Sequence, residues 1–155
     1  MEHRTLHLIH GALLLCTGIA CAQANSTATK PVLQAFEFGN DGQGVVSAVT
    51  VDYAGVMLPI GGEHKRFGPH HGPTTSEIRE LPVPDTATIR WTSADGQQHE
   101  VVAPIRSFIQ DTAHLYGFRF FFVDDHVDIY LLRNKHPGPG FPDVERIKVF
   151  PPAKP

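Results

Sequence analysis

A strong turn signal between two alternating segments constrains the fold of this chain more than any other feature. Residues 87–92 alternate apolar and polar side chains, as a half-buried β-strand does. The dipeptide Asp95-Gly96, typical of a tight hairpin turn, follows them. Residues 97–103 then form the return segment. The pattern predicts a β-hairpin, which needs a second layer of structure on which to bury its apolar face.

The register of this hairpin follows from the requirement that its apolar side chains share one face. A three-residue loop places Trp91 opposite His99 on the core face, and its last residue then adopts the left-handed conformation that glycine favours. A two-residue loop would place Trp91 opposite Glu100, a charge, on that face. We therefore predict the three-residue loop with a G1 bulge. Arg90 and Glu100 then form an ion pair on the outer face.

A second hairpin is predicted over residues 118–132, about the turn Asp124-Asp125. Pairing across this turn places six apolar side chains on one face, namely Phe118, Phe120, Phe122, Val127, Ile129 and Leu131. Burial of each contributes about 1.5–3 kcal/mol before conformational entropy is counted. The predicted core consists of Phe118, Phe120, Phe122 and Ile129 from this row, together with Trp91 and Ile89 of the first hairpin.

Short strand-like segments recur between turns rich in glycine and proline. Their spacing predicts an all-β fold, a single antiparallel β-sandwich of about eight short strands over residues 32–150. Residues 105–116 partly fit one short helix, and an irregular crossover fits them equally well. Residues 25–31 are interpreted as a flexible leader and residues 151–155 as a proline-rich tail.

Residues 1–24 have the composition of a targeting segment. The apolar stretch over residues 8–20 is short for a membrane span, and the Ala-x-Ala motif at residues 22–24 is typical of a signal-peptide cleavage site. Cys21 could instead be lipidated, although Gly18 stands where a lipobox has a large aliphatic residue. A retained anchor helix is the third interpretation. All three predict an exported protein, in the periplasm or, in the alternative with a lipidated Cys21, anchored to the outer membrane.

Several function classes lack support in the sequence. Both cysteines, Cys16 and Cys21, lie in the targeting segment, so the rest of the chain has no thiol nucleophile. The formal net charge of −3 gives no basic footprint for nucleic acid. The sequence contains no Gly-x-Ser-x-Gly elbow, no His-Glu-x-x-His motif and no phosphate-binding glycine loop. We therefore predict a protein that is not an enzyme, takes no cofactor and acts by binding.

Asp124, Asp125 and Asp128 form an acidic group around the second hairpin turn. Aspartate is favoured in turns, so turn chemistry and a solvated strand face explain this group without a function. The functional interpretation is a contact for a cationic surface on a protein partner, because complementary charge speeds association.

Residues 61–75 are interpreted as a loop because glycine and proline interrupt regular structure there. His70 and His71 in this loop are candidate partner contacts. In an alternative hypothesis, the segment 63–71 handles a metal through His64, His70 and His71. The spacing matches no standard zinc pattern, so no metal ligand is assigned.

Part of the chain also resembles a known group of proteins. The residues that carry the resemblance are Leu81-Pro-Val-Pro84, Ala87-Thr-Ile-Arg-Trp91, Asp95-Gly96, His99-Glu100, Pro104-Ile-Arg106 and the segment from Phe120 to Leu131. Over residues 45–132 the chain looks like small uncharacterised envelope proteins and lipoproteins of proteobacteria. Some members are encoded beside type VI secretion phospholipase effectors and are regarded as periplasmic immunity proteins.

The resemblance implies an exported binding protein, in its specific form an immunity protein against a secreted effector. It implies no catalytic residue. Two alternatives stay open beside it, the metal-handling envelope protein and a purely structural component of the envelope.

Overall fold

The structure, a computed structural model, describes residues 30–60 and 66–151. These residues form strands, turns and short 3-10 helices, and they include no helix long and apolar enough to cross a bilayer. The predicted all-β, sandwich-like fold is confirmed. The predicted targeting segment with Cys21, most of the leader, His64 and the end of the tail lie outside the described residues.

In the described part of the chain, the nine strands form two sheets. The strands are β1 (Val32–Asn40), β2 (Ser47–Tyr53), β3 (Val56–Met57), β4 (His71–Leu81), β5 (Ala87–Thr92), β6 (Gln98–Ala103), β7 (Leu115–Val123), β8 (His126–Asn134) and β9 (Val144–Phe150). The larger sheet has the order β4-β1-β7-β8-β9, and the smaller has the order β3-β2-β5-β6.

The central pair of the larger sheet departs from the predicted antiparallel arrangement. Strands β1 and β7 run parallel, while the other named pairs are antiparallel. Glu37 on β1 and Arg119 on β7 lie side by side although 82 positions separate them in sequence. The antiparallel prediction is wrong here because no hairpin turn links the two strands and sets their direction.

The β5–β6 hairpin has the predicted register, with Trp91 opposite His99. Gly96 has a φ of +84°, and its N–H donates a hydrogen bond to the carbonyl of Ser93 at 2.9 Å. These features define the three-residue loop and the G1 bulge. The charged pair on the opposite face also forms, and both of its side chains are exposed. The prediction for this hairpin is confirmed.

The core lies between the two sheets and is rich in aromatic side chains. The β7–β8 hairpin has the predicted register. The residues predicted for the core are all at most 2% exposed: Trp91, Ile89, Phe118, Phe120, Phe122 and Ile129. Strand β1 adds Phe36 and Phe38, and Phe38 stacks on Phe120 with ring centroids 5.4 Å apart. Strand β1 therefore completes a core that the hairpins begin.

One local alternative is decided and one local prediction is wrong. Residues 105–116 form the irregular crossover rather than one helix, with two short 3-10 helices, η1 (Ile105–Phe108) and η2 (Thr112–His114). An extended residue, Ile109, ends the first before an α-helix can continue. The predicted loop over residues 61–75 ends early, because β4 begins at His71 and pairs there with β1.

A buried ion pair joins β1 and β7. The side chains of Arg119 and Glu37 are 8% and 16% exposed. The Arg119 Nε–H donates to Glu37 Oε2 at 2.5 Å, and the guanidinium lies 5.6 Å from the centroid of the Phe121 ring. This pair lies on the face of β7 opposite the core phenylalanines. The parallel strands are therefore linked by charge as well as by backbone hydrogen bonds.

Candidate functional site

Three connections meet at one end of the sandwich, which we call the loop end. They are the β1–β2 loop (residues 41–46), the β5–β6 turn (residues 93–97) and the β7–β8 turn (residues 124–125). The Gly44 N–H donates to Asp124 Oδ1 at 3.3 Å. The indole N–H of Trp91 donates to the Asp124 carbonyl at 3.0 Å. These bonds connect both sheets through the second hairpin turn.

Asn40, the last residue of β1, organises the β1–β2 loop. Its side chain is fully buried and donates to the carbonyls of Gly44 at 2.7 Å and Gly68 at 2.8 Å. Its Oδ1 accepts from the Gly42 N–H at 2.9 Å. A Cβ at Gly42 would lie 2.6 Å from Asp124 Oδ1, so only glycine lets the loop approach the second hairpin turn this closely.

The two candidate histidines have different surroundings. His70 is exposed at the loop end, where its backbone N–H donates to the Gly42 carbonyl at 3.3 Å and its ring Nε2 lies 3.3 Å from Gln43 Oε1. His71 begins β4, and its ring lies against Phe67 with centroids 5.5 Å apart. The structure therefore brings His70 to the β1–β2 loop and places His71 beside it on the edge strand.

The predicted acidic group is divided. Asp124 and Asp125 are exposed at the loop end, and Asp125 Oδ1 lies 3.1 Å from His126 Nδ1. Asp128 is only 9% exposed, and its Oδ2 accepts from the Lys148 Nζ at 2.7 Å. The expectation of a solvated face around Asp128 is wrong, because β9 pairs with β8 and supplies a lysine beside this carboxylate. Asp128 is connected to Asp125 through His126, whose Nε2 lies 3.6 Å from Asp128 Oδ1.

The β5–β6 turn adds polar groups that were not predicted from the sequence. Ser93 Oγ lies 2.5 Å from Asp95 Oδ1 and 2.8 Å from His99 Nε2. The His99 ring stacks on Trp91 with centroids 5.0 Å apart and an angle of 16° between the ring planes. The Ser-x-Asp sequence in the turn and the predicted pairing of His99 with Trp91 were the available signals.

A shallow cavity of about 260 Å³ lies between the two hairpin turns. It is lined by Ser93, Ala94, Asp95, Gln97, His99, Asp124 and Asp125. Hydrogen bonds from the Ser93 hydroxyl and the Gln97 N–H lower the pKa of Asp95. A hydrogen bond from His126 lowers the pKa of Asp125. Both carboxylates are therefore charged at neutral pH, which gives the cavity a negative rim.

The contact between Ser93 and His99 does not make a nucleophile. A serine hydroxyl carries one proton, and Asp95 Oδ1 at 2.5 Å is the strongest nearby acceptor for it. His99 Nε2 is then the donor toward Ser93, the reverse of the direction that activates a serine. The arrangement stabilises the turn and orients the charge of Asp95.

Among the described residues, the loop end has no arrangement of side chains that would coordinate a metal ion. No group of three or more His, Cys, Asp or Glu side chains within residues 30–60 and 66–151 is placed to hold a metal ion. His64, the third histidine of the metal hypothesis, lies outside those ranges.

Comparison with known proteins returned no match. No protein-family model, no curated protein and no solved structure matches this chain. The resemblance to small proteobacterial envelope proteins therefore stays an expectation from the residues that carry it. The geometry and electrostatics of the loop end are the observations that bear on function.

Proposed function

We propose that the protein is an exported envelope protein that binds a protein partner through the loop end, in its specific form as an immunity protein against a secreted effector. The observation that carries the proposal is the convergence of Asp95, Asp124 and Asp125, from two separate hairpins, on one shallow cavity. Clustered carboxylates raise the local negative potential, and a cationic partner surface is steered toward them.

The loop end also has the rigidity that a binding surface needs. Asp124 is held through its carbonyl by Trp91 and through its carboxylate by Gly44. Asp95 is held by Ser93 within the same turn. Groups that are already ordered lose little conformational entropy when a partner binds. The carboxylates are therefore presented in a fixed geometry before any encounter.

A capture experiment with a charge-matched control tests this proposal. Tagged mature protein is immobilised and exposed to an envelope extract of the native host at low and at high salt. The loop-end variant neutralises three carboxylates, Asp95→Asn, Asp124→Asn and Asp125→Asn. The control variant removes the same charge at the opposite end of the sandwich, through Glu80→Gln, Asp85→Asn and Asp143→Asn.

We expect one protein to be captured by the wild type and by the control variant but lost from the loop-end variant, with capture that weakens as salt rises. Equal capture by both variants would remove the loop end from the account. The immunity form makes a further demand, that the captured partner be an enzyme inhibited by an equimolar amount of the protein. Binding without inhibition would discard the immunity form and retain the binding function.

A further inference from the structure

The outer side of β4 is an open sheet edge. β4 is the first strand of the larger sheet, and within residues 30–60 and 66–151 no other strand pairs with its outer side. An open edge presents backbone N–H and C=O groups that can pair with another strand. Pro73 and the register shift beside Glu37 interrupt the first half of β4. The regular part of the edge is therefore the segment 77–81.

The backbone of Ile78 faces this open edge. Ile78 lies opposite Ala35 of β1. The nitrogen and carbonyl oxygen of Ala35 face the other neighbour, β7, where both lie within 2.7 Å of the position that a Cβ at Gly117 would occupy. Directly opposed residues of an antiparallel pair either exchange two hydrogen bonds or both point these groups away from each other. The Ile78 N–H and C=O therefore point outward, and by alternation so do those of Glu80.

The side chains of this segment are complementary to themselves. Glu77 and Arg79 form an ion pair on one face, and both are partly exposed. On the other face Ile78 is 54% exposed, and Leu33, diagonal to it on β1, is 64% exposed. A second copy of β4 that runs antiparallel about Ile78 places the partner's Arg79 opposite Glu77, and the partner's Glu77 opposite Arg79. Each charge then has an opposite charge across the strand pair, and the two Ile78 side chains meet.

We infer that the protein forms a symmetric dimer in which the β4 strands of two copies pair antiparallel about Ile78 and join the two larger sheets into one. The outward N–H and C=O of Ile78 exchange two hydrogen bonds with the partner's Ile78. The interface is isologous, so the same patch serves both subunits, as is usual in homodimers.

The alternating charges select a second copy as the occupant of this edge. Opposite charges directly across a strand pair stabilise it, and like charges destabilise it. A strand of another sequence has to supply this order of charges, whereas a second copy supplies it by symmetry. The segment 77–81 contributes no residue to the cavity at the loop end, so the inference is independent of the function proposed there.

Charge reversal tests the dimer and its register together. The full chain is expressed in its host, and the processed protein is studied by sedimentation equilibrium. Glu77→Arg and Arg79→Glu, each alone, place four like charges around the two-fold axis. We expect each to raise the dissociation constant of the dimer about tenfold or more. An equimolar mixture of the two variants restores opposite charges at both positions, and we expect it to dimerise as tightly as the wild type.

Two further variants keep the test decisive. Glu77→Arg combined with Arg79→Glu in one chain should dimerise like the wild type, because the charges only exchange places. Arg90→Glu, which reverses one charge of the exposed ion pair on the smaller sheet, is the matched control and should leave dimerisation unchanged. A wild type that stays monomeric overturns the inference and leaves the edge to a strand of another protein. Folded variants that recover no dimer, either when mixed or in the combined variant, overturn the assigned register.

Discussion

The ion pair between Glu37 and Arg119 makes a quantitative prediction about the stability of the larger sheet. Removal of one partner leaves the other charge buried and uncompensated, which costs about 3–5 kcal/mol. Glu37→Gln leaves the guanidinium of Arg119, whose side chain is only 8% exposed, without its carboxylate partner. Arg119→Met leaves the carboxylate 16% exposed and without its two guanidinium donors. We expect each change to lower the free energy of unfolding by about 3 kcal/mol or more.

The double variant should lose less than the sum of the two single variants. With both charges gone, no uncompensated charge remains in the sheet, so the cost falls to lost hydrogen bonds and altered packing. We expect a coupling free energy of about 2–3 kcal/mol from the double-mutant cycle, the upper part of the range for residues in contact. Equilibrium urea unfolding, followed by the emission of Trp91, measures all four proteins.

The exposed pair Arg90–Glu100 is a matched control on the smaller sheet. Its Nε to Oε2 distance, 2.5 Å, equals that of the buried pair, but its side chains are 49% and 55% exposed. The same cycle should therefore give only about 0–1 kcal/mol, and high salt should reduce it further. Coupling in the buried pair no larger than in this control would refute the reasoning from burial.

Three further predictions concern the interior. Gly117→Ala should abolish the folded state, because its Cβ would lie 1.9 Å from the Ala35 carbonyl oxygen. An amide spectrum tests this. Gly138→Ala, whose Cβ would meet nothing within 4 Å, is the control and should be tolerated. Tyr53→Phe should cost about 1–3 kcal/mol in thermal unfolding, since the phenol donates to buried Gln34 Oε1 at 2.5 Å. Burial raises the pKa of Tyr53 above its ordinary value of 10.0. The free energy of unfolding should therefore fall as the pH rises above about 10, and it should fall less steeply in Tyr53→Phe. Equal slopes of the free energy against pH in the two proteins would contradict this.

The two hairpins could be predicted because local features fix them. Asp95-Gly96 determines the first loop, and the requirement that Trp91 avoid Glu100 selects its register. The same alternation argument places the phenylalanines of β7 on one face. In each case, turn chemistry and side-chain period act over fewer than about 20 residues and need no knowledge of the second sheet.

Strand pairing between distant segments could not be predicted in this way. An alternating pattern is the same for parallel and antiparallel neighbours, so nothing in β1 specifies β7 as its partner.

A local irregularity also conceals the pattern of β2. Ala48 has a φ of +50° and the register against β5 shifts there, so Val46 and Val49 are both buried although three positions apart. Such a bulge adds one residue to the strand, so the side chains beyond it point to the face opposite to the one that simple alternation predicts.

The candidate site was predicted only where it depended on a single turn. Asp124 and Asp125 are at the loop end because a hairpin tip is exposed. Asp95 joins them only because Trp91 connects the two turns, a contact between sheets. The solvated face expected around Asp128 is wrong for the converse reason, since the burial of Asp128 depends on β9, a strand distant from the turn in sequence.

The parallel pairing of β1 with β7 has a consequence for the synthesis of the chain. The ribosome adds about 5–20 residues per second, so the 82 positions between Glu37 and Arg119 correspond to roughly 4–16 s of elongation. Throughout that interval β1 lacks β7, and Phe38 lacks the Phe120 ring on which it stacks in the folded chain, although β4, made within the same interval, can pair with the other edge of β1. An apolar strand with an open edge is a target for chaperones and for aggregation. The order in which the strands are made therefore sets how long the nascent chain depends on protection.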